Sequence, residues 1–319
     1  MLTNLEIKNF KCFSELKVSP LAKVNLIVGA GNSGKTSLLE AISWLPQKTP
    51  GKAFSGPVSF RDSSHKFQHS TEMQRWLCHD LDGGQDFEIS GQFLNGGTSH
   101  VLQAVVGRHQ NHSGLVQVGN LSSKSINWAS NYRPVVQVIN TDRLAAETLA
   151  KSFDRWTLRT EHEGRFVSFL RSVEPRLMSL RPMEPHGMRM MYADIGLPER
   201  IPLPMLGEGF NRLVQIIGTI IGEGADIVLA DEIDNGLHWK ALPQVWTGLK
   251  AAVSSSNAQI FATTHSYECI KAAIEVFRGE PRGELAVHRL ERRADGQIHC
   301  VTIEEEMLEQ AVEANWEIR

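Results

Sequence analysis

Cysteine is scarce in this chain. The four present (Cys12, Cys78, Cys269 and Cys300) lie far apart in 319 residues and form no CxxC pair. A disulfide scaffold is therefore not expected, and reduced thiols in the cytoplasm are the default reading. No run approaches the ~18–20 uninterrupted apolar residues that a bilayer crossing needs, and Met1-Leu2-Thr3-Asn4 does not begin a signal peptide, so no membrane is expected as a partner. One-sided charge is missing too. Thirty-three Lys and Arg stand against 36 Asp and Glu, giving a net charge of −3. Any nucleic-acid contact would have to come from a local patch. Internal repeats, heptads and low-complexity tails are lacking as well. What remains, 41% hydrophobic and 22% charged residues, is ordinary globular composition at a length suited to one large α/β unit or two small ones.

The first thirty residues read as two strands around Leu5, Ile7, Phe10, Phe13, Leu16 and Val18, then an apolar run, Val24–Val28, that ends at glycine. Leu38, Leu39, Ile42 and Leu45 share one face of a following helix, which Pro46 stops. Residues 46–65 have loop composition. From about 86 to 140 the pattern alternates, with glycines between the runs, and predicts antiparallel hairpins that include Val135–Val138. Residues 143–192 read as helical and mildly basic: either a solvated face or a surface for phosphate backbone or an acidic protein. Beyond 200, Leu213, Ile216, Ile217, Ile220 and Ile221 keep helical spacing, and Ile227–Ala230 and Ile260–Ala262 suit buried parallel strands. Leu285–Leu290 and Ile298–Val301 read as a terminal hairpin, followed by a helix from about Ile303.

Gly29-Ala30-Gly31-Asn32-Ser33-Gly34-Lys35-Thr36 fits G-x-x-x-x-G-K-[ST] without a gap, and Ser37 follows. Glycines let the backbone curl until successive N–H groups face one concavity, and the next helix adds its positive end. Lys35 then reaches the outer phosphates of a nucleotide, and Thr36 stands where Mg²⁺ would be held.

Ile227–Ala230 ends in Asp231 and Glu232. At the carboxyl end of a parallel strand Asp231 would face the phosphate loop and hold the metal, while Glu232 would orient or deprotonate an attacking water. Taken alone, an acidic pair after a strand is as often a solvated loop. Ile260–Thr264 delivers His265 and Ser266 to the same edge. His265 could bond the γ-phosphate, or serve as a surface or capping group, and Thr263 and Thr264 read as packing or capping residues. Gly207-Glu208-Gly209 opens a helix 24 residues before Asp231. It is either a plain glycine-rich cap or a second anion site for a nucleotide bound to another subunit.

Together these residues resemble the ABC-type ATPases of the SMC and RecF kind, and most closely the single-chain AAA-type ATPases related to the OLD family. Leu5–Lys11 resembles their opening strand, Gly29–Ser37 their Walker A segment, and Leu206–Gly209 their signature, although Leu206 stands where a serine is common. Asp231-Glu232 is similar to the Walker B pair, Ile233–His238 to the D-loop, and Thr264-His265-Ser266 to the segment of the switch histidine. Gln137 is a candidate for the Q-loop.

The resemblance implies an α/β fold: a P-loop NTPase of ABC/SMC head type, with a mixed central sheet, an antiparallel β subdomain and a helical insertion. The whole chain, 1–319, would form one head. Within it, 1–45 plus 200–319 would make the nucleotide-binding core, 50–140 the antiparallel region, and 143–199 the helical, mildly basic insertion. It further implies ATP and Mg²⁺ as ligands and slow ATP hydrolysis in a homodimer or higher homo-oligomer with two nucleotides at the interface. Glu232, Lys35 and His265 would be catalytic, and Gly207, Glu208 and Gly209 would reach the partner's nucleotide. About fifty residues after Ser266 are too few for a Toprim nuclease domain, so a separately encoded nuclease or toxin effector in anti-phage defence is the expected output. A RecF-like DNA clamp in repair is the alternative. A small-molecule kinase or GTPase would leave the later motifs idle, and no Asn-Lys-x-Asp segment exists to read guanine. A nucleotide-binding pseudo-ATPase fits the intact Asp231-Glu232 pair poorly.

Overall fold

The computed structural model describes residues 1–45, 77–81, 86–109, 112–122, 125–127, 134–139, 146–185, 187–222, 224–281, 283–303 and 307. In chain order, strands β1 (Leu2–Phe10), β2 (Phe13–Val18) and β3 (Val24–Val28) lead through the glycine-rich loop into helix α1 (Lys35–Trp44). Then come β4 (Phe87–Asn95), β5 (Thr98–His109), β6 (His112–Ser122), β7 (Ser125–Asn127) and β8 (Val136–Ile139). Helices α2 (Ala146–Trp156) and α3 (Thr160–Leu170) precede β9 (Ser179–Met183), β10 (Met190–Asp194) and β11 (Ile201–Pro202). The last part alternates: α4 (Glu208–Gly222), β12 (Ile227–Ala230), α5 (Leu242–Ser254), β13 (Gln259–Thr263), α6 (Tyr267–Phe277), β14 (Leu285–Arg292) and β15 (Ile298–Ile303).

The central sheet runs β15-β14-β3-β13-β12-β8. Its strands pair in parallel except for β15, which closes the edge antiparallel to β14. Every residue of β3, β12 and β13 is buried, the pattern of strands covered on both faces. Side chains alternate across a strand, and this splits the core in two. Val24, Leu26, Val28, Val228, Ala230, Ile260 and Ala262 meet α2 to α6 and the small sheet β11-β10-β9. Ile27, Ile227, Leu229 and Phe261 face α1 and a second sheet, β2-β1-β4-β5-β6-β7. Gln259 joins the two sheets: its amide accepts from the Leu2 N–H at 2.8 Å and donates to the Leu2 and Ala22 carbonyls at 2.8 and 2.7 Å.

The apolar stripe of α4 (Leu213, Ile216, Ile217, Ile220) is buried as its spacing predicts. Gly218 and Gly222 on this helix leave room for the Trp156 ring, which added Cβ atoms would approach to 2.2 and 2.4 Å.

Three expectations need correction. Val136–Val138 belong to no hairpin; β8 is a parallel edge strand beside β12. A run of four residues cannot by periodicity be told from a hairpin arm, and the partner decides. β1 and β2, expected in the nucleotide-binding core with residues 1–45, pair instead with β4 in the antiparallel sheet. The 143–199 stretch is helical only through α2 and α3, after which β9 and β10 pair antiparallel. The loop composition of 46–65 and the terminal helix from about Ile303 lie largely outside the described residues.

His288 on β14 is fully buried. Its Nε2 lies 3.0 Å from Asn25 Oδ1, and its Nδ1 lies 3.0 Å from Thr302 Oγ1. Asn25 Oδ1 also accepts from the Ala22 N–H, so Nε2 carries the proton and Nδ1 accepts from the threonine. Burial lowers the His288 pKa from 6.5 to about 4. The unfolded chain thus takes up this proton first on acidification, and stability falls as pH drops from about 6.5 towards 4, by roughly 3 kcal/mol at most. Urea unfolding across that window should show the loss in the parent and a flatter slope in H288Q. An unchanged slope would rule out this residue as its source.

Candidate functional site

The parallel register brings the site together. Ala230 pairs with Ala262, and Ala262 with Leu26, so the following residues, Asp231, Thr263 and Ile27, emerge side by side at one sheet edge. Just beyond, residues 29–34 form a tight loop. Gly29 has φ 142°, and a Cβ there would lie 2.5 Å from the Leu290 carbonyl oxygen. Gly34 has φ 95°, and its Cβ would lie 2.7 Å from Cys12 Sγ and 2.8 Å from Phe13 Cζ. Glycine is needed at both positions by conformation and by space. Asn32 supplies a further left-handed turn at φ 58°. α1 then starts with no side-chain cap and no acidic residue in its first turn. Its positive end is left to an anion.

Lys35 is 6% exposed. Its ammonium donates to the carbonyls of Gly29 (2.9 Å) and Ala30 (2.8 Å) and reaches Ser33 Oγ at 3.4 Å. Burial lowers its pKa, while Asp231 and Glu232 nearby pull it back up. The Thr36 hydroxyl donates to Asp231 Oδ2 at 3.0 Å. Residues 195 positions apart thus meet as the motif spacing requires.

Asp231 is 8% exposed. Its Oδ1 also accepts from Thr263 Oγ1 at 2.5 Å, and that same hydroxyl accepts from the Glu232 N–H at 2.7 Å. Glu232 has φ 48°, a left-handed conformation that a non-glycine residue adopts only when its surroundings impose it. Its side chain is exposed. Asp234 accepts from Thr264 Oγ1 at 2.6 Å, and the same hydroxyl accepts from the Ser266 N–H at 3.0 Å. His265 lies between them, exposed.

Gly207, at φ 94°, precedes α4. A Cβ on Gly209 would lie 2.6 Å from the Gly236 carbonyl oxygen and 2.6 Å from Leu237 Cδ2. The helix start therefore packs on the segment that follows Asp231-Glu232 in the same chain. One turn on, buried Arg212 donates to the Asp231 main-chain carbonyl. Burial lowers its pKa, against the raising effect of Asp231, Glu232 and Asp234.

Two residues exceed their sequence reading. Thr263, expected to pack or cap, holds both acidic residues; Thr264 holds Asp234. Arg212 carried one signal, a charge set into an apolar helix. Gln137 sits half-buried on β8. In the mildly basic stretch, Lys151 pairs with Glu147 (2.7 Å), Arg189 with Asp154 (2.5 Å) and Arg176 with Glu174 (2.9 Å). Arg171 Nε donates to the Leu177 carbonyl at 2.6 Å. No group of three or more His, Cys, Asp and Glu among the described residues is arranged to hold a metal by itself.

Residues 1–153 match the model of an AAA ATPase domain. An ATP/GTP phosphatase of Helicobacter pylori is 21% identical over 87% of this chain and 89% of its own length. DNA replication and repair protein RecF of Pseudoalteromonas translucida is 36% identical over 88 residues, 28% of this chain and 22% of that protein. Among solved structures, an SMC head bound to the C-winged helix domain of ScpA superposes with a TM-score of 0.64 at 14% identity, covering 98% of this chain and 99% of the other. The fold is that of the SMC head domains.

T263V keeps the side chain's shape and deletes both of its hydrogen bonds, leaving the Asp231 carboxylate and the Glu232 N–H short of a partner. It should cost about 2 kcal/mol in denaturant unfolding, with T263S recovering most of it. Equal stability of T263V and the parent would remove the double-bond role.

Proposed function

We propose that the chain binds ATP with Mg²⁺ in the Gly29–Ser37 loop and hydrolyses it as a head-to-tail homodimer around two nucleotides. The observation that carries the reading is the meeting of Lys35, Thr36 and Asp231 at one sheet edge, with Glu232 fixed beside them. Backbone N–H groups of the loop and the first turn of α1 cradle the phosphates, and Lys35 leaves its loop carbonyls for the outer phosphate oxygens. The Thr36 hydroxyl and the Asp231 carboxylate are hard oxygen donors in contact, a set that fits Mg²⁺, which takes few protein ligands beside phosphate and water. When bound, the ion neutralises charge on the β- and γ-phosphates. Glu232 accepts the proton of the attacking water. The residue has a left-handed backbone, φ 48°, and an exposed side chain. His265 bonds the γ-phosphate, and Gly207, Glu208 and Gly209 present the start of α4 to the partner's nucleotide.

The output we favour is control of a separately encoded nuclease or toxin in anti-phage defence, within the cytoplasm. The likeness of the motif set to OLD-related ATPases supports it; among the described residues no helix is long and apolar enough to cross a membrane. A second reading, a DNA clamp, is favoured by the RecF match. Against it, Lys151, Arg176 and Arg189 of the basic stretch are neutralised within the chain. Duplex DNA affinity that falls steeply with salt would select the clamp; no binding at low salt would remove it.

Phosphate release by the purified protein tests the core of the proposal. K35A should weaken ATP binding at least ~10-fold, through loss of a charge-assisted contact. E232Q should bind ATP like the parent, turn over ~10²–10³-fold more slowly and accumulate as a closed dimer on a sizing column. Parental turnover in E232Q would end the general-base assignment.

A further inference from the structure

The C=O of Asp231 and the N–H of Glu232 belong to one peptide unit, and that unit is gripped from both sides. Arg212 donates to its oxygen, and its N–H donates to Thr263 Oγ1 at 2.7 Å. A peptide is planar, so bonds at both of its polar ends fix the orientation of the plane. The plane in turn sets where the Glu232 side chain leaves the backbone, and Glu232 follows it in a left-handed conformation, φ 48°. Such a conformation relaxes unless something holds it. Thr263 is anchored in the sheet. Arg212 is anchored on α4, three residues beyond Gly209, in a helix whose first turn already abuts the Gly236 carbonyl.

A guanidinium only 8% exposed, set beside the apolar stripe of a helix, is costly to bury without acceptors. Leucine here would extend the stripe at no such cost. What the arginine adds is a donor aimed at the peptide between the two acidic residues, in the field of Asp231, Glu232 and Asp234.

We infer that Arg212 is a positioning residue for hydrolysis: it locks the Asp231–Glu232 peptide and so ties the aim of Glu232 to the placement of the helix that begins at Gly207. The inference rests on the ATPase reading above and deepens it. A ligand that settles on the start of α4 moves Arg212, and with it the group that acts on water. Nucleotide binding through the Gly29–Ser37 loop is left alone.

The test compares R212M, R212K and E232Q with the parent for turnover and for affinity towards a non-hydrolysable ATP analogue. R212M removes the donor while filling the space, and R212K keeps a donor. Both should bind the analogue within ~3-fold of the parent. Turnover should fall ~10–100-fold in R212M and recover to within about 5-fold of the parent in R212K. Because Arg212 works through Glu232, the R212M/E232Q double variant should be no slower than E232Q alone. If R212M does not fold by circular dichroism, R212Q, too short to reach the carbonyl, replaces it in the same cycle. Parental turnover in R212M, equal turnover in R212M and R212K, or additive losses in the double variant would each overturn the inference and leave the ATPase reading intact. A parent that releases no phosphate would instead remove the reading on which both stand.

Discussion

Strand register is the constraint on which the site depends. Ile139, Ala230, Ala262 and Leu26 lie in one row across four parallel strands. Parallel strands end together, so Asp231 and Thr263, each following its member of that row, reach the same edge, and a strand that slipped by one residue would turn its side chains to the opposite face. The burial of β3, β12 and β13 on both faces forbids the slip, because either face would then lose its fit to a packed layer. The hydrophobic effect thus fixes the meeting of Asp231 with Thr263 and Thr36 without contributing a polar atom to it.

The charges at that edge are sustained by one another. Lys35 and Arg212 are each buried enough to weaken their hold on a proton, and the same two acidic residues, Asp231 and Glu232, oppose that effect in both. Main-chain carbonyls complete the solvation: Gly29 and Ala30 for the lysine, Asp231 for the arginine. Neutralising Asp231 would therefore strip support from two cations as well as from two hydroxyls. Losses in such a cluster are not expected to add.

The order of legibility follows the range of the physics. The Gly29–Ser37 loop was legible because its function is local: consecutive N–H groups, a fixed lysine offset and a helix end. β12 and β13 were legible because apolar runs ending in polar residues describe buried parallel strands. β8 was not, since four residues of middling character, Val136–Ile139, look alike in a hairpin or at a sheet edge until a partner is chosen. The assignment of β1 and β2 to the second sheet also escaped, because alternation reveals that a strand has two faces but not which sheet it joins. The bonds of Thr263 and Arg212 to the acidic pair were missed. A hydroxyl's bonds across 32 positions, or an arginine's across 19, leave no period in the sequence; they become visible only when the fold supplies the acceptor.

The geometry also roots the glycine-rich loop and the acidic pair in different layers. Lys35 and Thr36 stand on the loop and first turn of α1, which pack among the residues facing the antiparallel sheet. Glu232 is held instead by Thr263 from the central sheet and, through the preceding peptide, by α4 from the opposite layer. The Asp231 carboxylate is the junction, since it accepts from Thr36 on one side and Thr263 on the other. A packed interior transmits small displacements poorly as bending and well as shifts of whole elements. Movement of α4 would therefore reach the Asp231–Glu232 peptide before it reached the loop. That asymmetry follows from which layer each polar group is rooted in.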